Sequence, residues 1–228
     1  MNARPMGLLD TILSVLARPH RAGIPFIAGG AAVAVFGLFV HGWIFWLGVA
    51  LALSCWFFFR DPERVPSPVG GTILAPADGL ISGIGMAVPP PELGLGAAPR
   101  PRISIFLSVL NVHVNRMPYS GTVERVAYNK GLFLNAADDK ASDDNERNSV
   151  LLRLDNGLAI GVVQIAGLIA RRILCEVREG DRVIVGQRYG IIRFGSRTDL
   201  YLPPGVEPMV AVGQTAIGGE TVMAQLEP

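Results

Sequence analysis

The sequence predicts a mostly β (α+β) fold, in which a barrel-sandwich-like β domain follows an N-terminal hydrophobic helical hairpin. Three observations predict it. Residues 24–59 contain no charged side chain. After Asp61-Pro62 the chain changes to short apolar runs, several of which alternate with the period of two that strands show. Turn-forming pairs such as Asn156-Gly157 separate these runs. We therefore expect a membrane-associated segment over residues 1–60 and a β-rich domain over residues 61–228.

The apolar block is too long for one membrane-spanning helix. As a single helix, residues 24–59 would extend about 54 Å at about 1.5 Å per residue, whereas a bilayer core is about 30 Å thick. Two arms of about 25 Å are a little short for it, so a tight hairpin that turns near His41-Gly42, with local thinning of the bilayer or burial of its tip, fits better. The hairpin either crosses the membrane fully or enters only one leaflet. Arginines flank both ends of the block, so the positive-inside rule predicts that both ends face the cytoplasm: Arg4, Arg18, Arg21, Arg60 and Arg64. The alternative is a buried helical hairpin inside a soluble protein.

The predicted strands are short runs rich in Val, Ile and Leu: residues 71–74, 79–84, 103–108, 121–128, 149–154, 159–165, 182–185, 189–194 and 209–212. The pattern Glu179-Gly180-Asp181-x-Val183-x-x-Gly186-Gln187-x-x-Gly190 is similar to the barrel-sandwich units of biotinyl and lipoyl carriers. Residues 71–81 look like a weaker partner of the same kind. This pairing of hairpin modules is the basis for predicting a barrel-sandwich-like domain.

Composition excludes several function classes. The formal net charge is +1, so no global field favours nucleic acid. The two cysteines, Cys55 and Cys175, do not form a disulfide framework. No Cys/His cluster has the spacing of a metal site, so we predict no metal. Acid–base chemistry in the polar part of the chain must use His113 or carboxylates, because the other two histidines, His20 and His41, precede that part.

The segment Phe194-Gly195-Ser196 becomes informative only together with other motifs of the chain. Alone, Gly-Ser is an ordinary turn. With the other motifs, in their order and spacing, the chain resembles phosphatidylserine decarboxylases of the compact bacterial branch. The motifs that carry the resemblance are residues 58–64 (FFRDPER), 75–79 (APADG), 106–108 (FLS), 111–118 (NVHVNRMP), 139–141 (DKA), 145–148 (NERN) and Gly186-Gln187-x-x-Gly190.

The resemblance implies a self-cleaving enzyme with a pyruvoyl cofactor. Ser196 Oγ would attack the Gly195 carbonyl, and the resulting ester would eliminate to leave a pyruvoyl group on residue 196. The products would be a β chain of residues 1–195 and an α chain of residues 196–228. The pyruvoyl group would form a Schiff base with phosphatidylserine and accept electrons as CO₂ leaves, giving phosphatidylethanolamine. A glycine before the serine leaves the scissile carbonyl open to attack.

The resemblance also implies two helper residues, Asp78 and His113. Family members use an Asp in the Ala-Pro-x-Asp-Gly position with a nearby His to activate the serine. The longer relatives carry two histidines three residues apart, and the second belongs to that relay. This chain has His113 at the first position and Arg116 at the second. Either His113 serves both self-cleavage and protonation after CO₂ loss, or Asp78 acts through water.

We expect three arginines to bind the lipid phosphate or the substrate carboxylate, since a guanidinium suits both: Arg116, Arg171 and Arg172. The implied partners are a phospholipid, the bacterial membrane and the chain's own α and β fragments, with the enzyme at the cytoplasmic face of the inner membrane. A homodimer is one arrangement that the sequence allows. The sequence does not separate phosphatidylserine from an archaetidylserine-type lipid.

Two alternatives remain open at this level. Asp139-Lys140-Ala141 matches the lipoyl-carrier tripeptide, so the chain could be a lipoyl- or biotinyl-like carrier modified at Lys140. A carrier lysine should stand at a tight hairpin tip, whereas Lys140 lies inside a long polar run. The second alternative is a structural membrane protein without catalysis, which predicts one intact chain.

Overall fold

The computed structural model describes residues 17–131, 145–167, 172–193 and 196–226. The chain divides into two compact units, the first ending at Glu63 and the second beginning at Arg64. Three predicted site or modification residues, Gly195, Arg171 and Lys140, lie outside the described residues. The two units are therefore described separately, each from its own contacts.

The first unit is a pair of apolar helices. A short 3₁₀ turn at Arg21–Gly23 leads into α1 (Ile24–Val40), and α2 (Gly42–Phe58) follows after a single residue. That residue, His41, is extended, with φ −152° and ψ 137°, and it reverses the chain. The predicted hairpin with its turn at His41-Gly42 is confirmed.

Glycines allow the two helices to approach closely. A Cβ placed on Gly37 would lie 2.1 Å from the backbone nitrogen of Phe45 in α2. A Cβ on Gly48 would lie 2.1 Å from the backbone nitrogen of Ala34 in α1. Contacts between small residues are the usual basis of helix association in membranes, where the hydrophobic effect does not drive helices together.

In its described residues the second unit contains thirteen strands. They are β1 (Thr72–Leu74), β2 (Gly79–Ala87), β3 (Arg100–Leu107), β4 (Val114–Arg116), β5 (Gly121–Asn129), β6 (Arg147–Arg153), β7 (Ala159–Ala166), β8 (Ile173–Cys175), β9 (Arg182–Val183), β10 (Arg188–Ile192), β11 (Ser196–Tyr201), β12 (Thr215–Ala216) and β13 (Val222–Gln225). A 3₁₀ turn at Pro91–Leu93 lies between β2 and β3.

These strands form one large curled sheet and two small ones. The large sheet has the order β12-β2-β3-β11-β7-β6-β5-β9, and its neighbours are antiparallel. The small sheets have the orders β4-β10-β8 and β1-β13. The predicted mostly β fold with an N-terminal helical pair is confirmed.

The predicted strands from 71–74 to 189–194 each overlap an observed strand, but the one at 209–212 is wrong. Met209 donates one backbone hydrogen bond to Met223 O at 2.8 Å, and the chain then turns at Gly213, whose φ is +89°. The sequence reading missed β4, β8, β11, β12 and β13. Four of these have only two to four residues, too few to show a period.

The two faces of the large sheet bury different clusters. The inner face carries the main core, which includes Ile103, Ile105, Val162 and Leu200. The outer face carries a smaller cluster of Leu93, Leu151, Val163, Ile165 and Tyr201. Since side chains alternate between the faces along each strand, any residue on these strands can be assigned to a face from its register.

Candidate active site

Strand β11 begins at Ser196 and is buried along its whole length. It lies between β3 and β7, so both of its edges are paired. The sequence reading missed this strand because Arg197 and Asp199 make it look polar. Arg197 donates to Asp199 at 2.8 Å, and both side chains are at most 3% exposed, so each charge compensates the other on the outer face.

Ser196 faces the inner core. It is in register with Leu107 of β3 and Ala166 of β7, and it alternates in phase with Leu200 of the main core. Its side chain is fully buried, and Oγ makes no hydrogen bond to any residue in the described part of the chain. A buried hydroxyl without a partner costs about 1–3 kcal/mol. Such a group calls for an explanation, and a chemical role is one.

His113 is held in one orientation, and its backbone is bonded to a residue that packs against the register partner of Ser196. It is fully buried, and its carbonyl oxygen accepts a hydrogen bond from the Ile192 N–H at 3.2 Å. The side chain of Ile192 packs against Ala166, the register partner of Ser196. His113 Nδ1 is 2.9 Å from the carbonyl oxygen of Asn111. Because a carbonyl can only accept, Nδ1 is the donor, and the neutral ring carries its lone pair on Nε2.

A tight turn at residues 108–111 lies between Leu107, the register partner of Ser196 on β3, and His113. Asn111 Oδ1 accepts from the Ser108 N–H at 2.9 Å and from Ser108 Oγ at 2.7 Å, and the Asn111 N–H donates to Ser108 O. The two residues at the tip, Val109 and Leu110, are 47% and 67% exposed. The turn therefore fixes His113 relative to β3 while it presents two apolar side chains to the outside.

Asp78 comes immediately before β2, and β3 lies between β2 and β11. Its Oδ2 accepts from Arg64 Nη2 at 2.8 Å, and its Oδ1 accepts from the Gly218 N–H at 2.8 Å. Strands in a sheet are about 4.8 Å apart, so one intervening strand separates Asp78 from Ser196 by about 10 Å of backbone. The carboxylate is engaged by Arg64 and by the loop between β12 and β13.

Arg116, which the sequence offers as a ligand for the substrate, is buried. It is 4% exposed, and Nη1 donates to the Gly186 carbonyl at 2.9 Å. Its Cδ atom packs over Gly219, where an added Cβ would lie only 2.8 Å away. Gly219 has a φ of +80°, a conformation that favours glycine. This arginine therefore fills space beside the loop that also contacts Asp78.

Arg172, by contrast, is exposed, and it lies close to Arg193. The Arg193 N–H donates to Arg172 O at 3.4 Å. Burial lowers the pKa of the Arg193 guanidinium, and the like charge of Arg172 lowers it further. Sequence reasoning did not identify Arg193, which stands three positions before Ser196, because a single arginine at the end of a strand carries no signal by itself.

A row of buried amides, also missed from the sequence, lies on the same inner face as Ser196. Asn148 Nδ2 donates to Gln164 Oε1 at 2.9 Å, and Gln164 Nε2 donates to Asn115 Oδ1 at 2.7 Å. Gly190 makes this possible, since a Cβ there would lie 3.2 Å from Gln164 Nε2. The pairing joins β4, β6 and β7, and such long-range contacts leave no mark in a local pattern.

Comparison with known proteins assigns the family. A sequence model of the family described as phosphatidylserine decarboxylase matches residues 51–224. The chain belongs to the phosphatidylserine decarboxylase family. The resemblance read from the motifs is thereby confirmed, and the chain is a member of a family of decarboxylases.

The curated relatives are similar over nearly their whole length. The chain is 62% identical over 223 residues to a phosphatidylserine decarboxylase proenzyme of Granulibacter bethesdensis, covering 98% of this chain and 91% of the relative. It is 54% identical over 229 residues to the proenzyme of Gluconobacter oxydans, covering 97% and 100%. It is 56% identical over 226 residues to that of Gluconacetobacter diazotrophicus, again covering 97% and 100%. The word proenzyme describes these relatives as precursors.

Proposed function

We propose that the chain is a precursor that cuts itself between Gly195 and Ser196, and that the processed enzyme decarboxylates phosphatidylserine to phosphatidylethanolamine and CO₂. The observation that carries the proposal is Ser196 itself. Ser196 is the first residue of β11, in the middle of the large sheet. Its hydroxyl is buried and has no hydrogen-bond partner among the described residues. Membership of the family and the proenzyme names of the relatives support the same conclusion.

Self-cleavage proceeds through the hydroxyl of Ser196. Its Oγ attacks the Gly195 carbonyl carbon, the peptide C–N bond breaks, and residues 1–195 become an ester on Oγ. Removal of the Ser196 α-proton expels the Gly195 carboxylate and leaves a dehydroalanine. Water then replaces its nitrogen, which leaves as ammonia, so that residue 196 ends in a pyruvoyl group.

The surroundings of residue 196 fit a pyruvoyl cofactor. The position is fully buried, and its register neighbours Leu107 and Ala166 are apolar, so that water is largely excluded from a reactive ketone there. When formed, the group acts as an electron sink for the electrons that the departing CO₂ leaves behind. No catalytic lysine is needed for this chemistry.

We assign the proton transfers to His113. Its Nδ1 is occupied by the Asn111 carbonyl, so the lone pair that can accept a proton is on Nε2. The Ile192–Ala166 contact supports a location of His113 close to residue 196. His113 therefore takes the proton of Ser196 during self-cleavage and returns a proton to the product after CO₂ has left.

Asp78 then has a positioning role. Its carboxylate holds Arg64 on one side and the Gly218 backbone on the other. Gly218 belongs to residues 196–228, whereas Asp78 and Arg64 belong to residues 1–195. The contact therefore ties the future α chain to the future β chain near their shared core.

The two fragments remain associated after cleavage. The α chain would contain β11, β12 and β13, which pair with β3, β7, β2 and β1 of the β chain. Every residue of β11 is buried. Separating the fragments would expose this strand and break its hydrogen bonds on both sides, so we expect one stable particle of two polypeptides.

Arg172 and Arg193 are our candidates for the lipid phosphate. Two guanidinium groups close enough to lower a pKa repel each other, and an anion between them would relieve that repulsion. Both precede Ser196 in the chain and flank the described end of β10. Arg171 stays a candidate from the sequence, whereas the buried contact of Arg116 with Gly186 favours a structural role for that residue.

We further propose that the helical hairpin attaches the enzyme to the cytoplasmic face of the bacterial inner membrane. Within the described residues, Arg21–Val40 is long and apolar enough to cross a bilayer by length and composition, and Gly42–Phe58 is a shorter apolar helix. Large side chains on both helices point outward: Phe39 is 83% exposed and Trp46 is 67% exposed. A lipid substrate that stays in the bilayer suits such an anchor.

A lipid decarboxylation assay tests the proposed function. Purified protein in detergent is given phosphatidylserine with a labelled carboxyl carbon, and released CO₂ and phosphatidylethanolamine are measured. We expect turnover by the wild type and none by Ser196→Ala. The matched control is Ser104→Ala. It removes another buried serine hydroxyl that has no partner among the described residues, one that lies on the outer face opposite Asp199. Inactive wild-type protein that is folded and membrane-bound would contradict the proposal.

A further inference from the structure

The row of buried amides beside Ser196 has a direction. Asn148 donates to Gln164, and Gln164 donates in turn to Asn115 Oδ1. The oxygen of Asn115 is thereby used, and its Nδ2 is left as the last donor of the row. Asn115 is fully buried, and this Nδ2 meets no acceptor in the described parts of the chain.

A second buried donor lies beside Gln164, the middle residue of this row. Thr198 is in register with Gln164 and lies two positions after Ser196, so all three side chains share the inner face. Thr198 is fully buried, and its Oγ1 has no partner among the residues that the structure describes. Ser196 Oγ, Thr198 Oγ1 and Asn115 Nδ2 are thus three buried polar atoms without a partner among the described residues, and Thr198 and Asn115 both adjoin Gln164.

Such a group is costly in the unliganded fold. Each buried polar atom without a partner costs about 1–3 kcal/mol, and nearly all buried polar atoms in proteins have a partner. An amide N–H can only donate, so a ligand that satisfies Asn115 must supply an acceptor oxygen. A carboxylate is the group best suited to several donors at once, because its two oxygens accept about four hydrogen bonds.

The donors in this group are neutral, which matters for a decarboxylation. An arginine beside a carboxylate would stabilise its full negative charge and oppose the loss of CO₂. An amide and a hydroxyl can orient the carboxylate through hydrogen bonds and stabilise its charge less. Neutral donors therefore orient the substrate carboxylate but stabilise the bound ground state less than an arginine would. More of the binding energy then serves to lower the barrier to the loss of CO₂.

We propose that Asn115 Nδ2 and Thr198 Oγ1 bind the carboxylate of the serine headgroup, with Gln164 and Asn148 as positioning residues that fix the amide of Asn115. This inference rests on the proposed function. It explains why a row of three amides crosses the interior at this level of the sheet, next to the residue that we assign to the cofactor. It also makes the two donors determinants of specificity for an amino-acid headgroup.

The test uses variants that keep the shape of each side chain. Asn115→Leu and Thr198→Val remove the donors, and Thr198→Ser restores a hydroxyl. Ser104→Ala is the matched control, since it removes a buried hydroxyl on the opposite face that likewise has no partner in the part of the chain that the structure describes. Self-cleavage is measured first, by gel and intact mass, so that binding is compared only between processed proteins.

Binding is then measured with short-chain lipids that differ in the carboxylate. One probe is dihexanoyl-phosphatidylethanolamine, which lacks it, and the other is the matching ester of 3-hydroxypropionate, which keeps it and lacks the amine. We expect Asn115→Leu and Thr198→Val to weaken calorimetric binding of the carboxylate probe roughly tenfold to a hundredfold. Binding of the ethanolamine lipid should stay within about twofold, and Thr198→Ser should recover the carboxylate affinity.

The outcomes separate this inference from the proposed function. If the wild type neither cleaves itself nor decarboxylates lipid, the proposed function fails. If the wild type does both and the two variants bind both probes as the wild type does, only the carboxylate site is refuted, and the donors hold buried water. Equal weakening for both probes would also refute it, because that pattern indicates a general distortion. If Asn115→Leu does not fold, Thr198→Val decides the question.

Discussion

Replacing His113 by asparagine separates its chemistry from its packing. An asparagine side chain can keep the hydrogen bond that Nδ1 makes with the Asn111 carbonyl at 2.9 Å, while the Nε2 lone pair is lost. Stability should change by about 1 kcal/mol or less, the value of one ordinary hydrogen bond. Loss of a general base or acid slows a reaction by about 10²–10⁴-fold, which is about 3–5.5 kcal/mol of barrier. We expect a reduction of that size in both self-cleavage and decarboxylation.

The assay follows the two steps separately. Self-cleavage is timed after synthesis in a cell-free system, and decarboxylation is measured on the fraction that has been processed. His113→Ala serves as a second variant, with a similar loss of rate and a larger loss of stability from the cavity. Rates within threefold of wild type for His113→Asn would remove His113 from the mechanism. Normal cleavage with lost decarboxylation would return Asp78, acting through water, as the base for Ser196.

Three further predictions concern the fold and the membrane. Burial raises the pKa of Glu92, but the hydrogen bonds and the positive charge of Arg147 lower that pKa overall. The ionised Glu92 therefore stabilises the fold at pH values above the pKa of an unfolded glutamate, and this stabilisation is lost as the pH falls through the lowered pKa of the folded state. Glu92→Gln should therefore reduce the free energy of unfolding by about 1.5–3 kcal/mol near neutral pH. A difference between the two proteins that stays constant as urea titrations move from neutral to acid pH would contradict this. Gly48→Val should lower the melting temperature in detergent, because the new side chain would meet the backbone of the other helix. The control is Gly29→Val, where an added Cβ meets nothing within 4 Å, so the melting temperature should not fall. Equal melting temperatures for the two variants would refute the close packing of α1 on α2 at Gly48. Replacing both Val109 and Leu110 by serine should slow decarboxylation of vesicle lipid by about tenfold and spare short-chain lipid, because the change removes exposed apolar area that can enter a bilayer; equal slowing on both substrates would contradict a membrane role.

The elements that could be predicted from the sequence are those with a local signal. The hairpin was visible because an uncharged block of this length must fold back, and His41-Gly42 is its natural interruption. The strands up to 189–194 were visible because their Val and Ile content and flanking turns are local. The segment predicted as a strand at 209–212 has similar composition, but its backbone makes one bond to a distant residue, Met223, and one local turn bond, from the Gln214 N–H to Ala211 O. Composition alone does not reveal whether a neighbouring strand exists.

The parts of the site that could not be predicted depend on contacts between distant residues. Asp78 was singled out from its motif, but its partners Arg64 and Gly218 are 14 and 140 positions away in sequence. The amide row depends on Gln164 and Asn115, which are 49 positions apart. In the amide row, a polar residue in an apolar strand weakens the local strand pattern, and only its distant partner explains why it is there.

The surroundings of the arginines could not be predicted from the sequence either. Arg116 stands where longer relatives of the family have a second histidine, so the sequence suggested a role at the substrate. Its guanidinium instead donates to the Gly186 carbonyl inside the domain. Arg172 is exposed and lies near Arg193, a pairing that only the fold reveals. Charge alone therefore did not separate a structural arginine from a candidate ligand-binding one.

Intact-mass measurement of the purified wild-type protein and of Ser196→Ala tests the central claim most directly. We predict that the wild type consists of two polypeptides, residues 1–195 and 196–228, which co-purify under native conditions and separate on a denaturing gel. The smaller one should be lighter by one ammonia than the unmodified sequence and should resist amino-terminal sequencing. Ser196→Ala should remain one chain of 228 residues. A wild-type protein that stays whole and still decarboxylates phosphatidylserine would contradict the account.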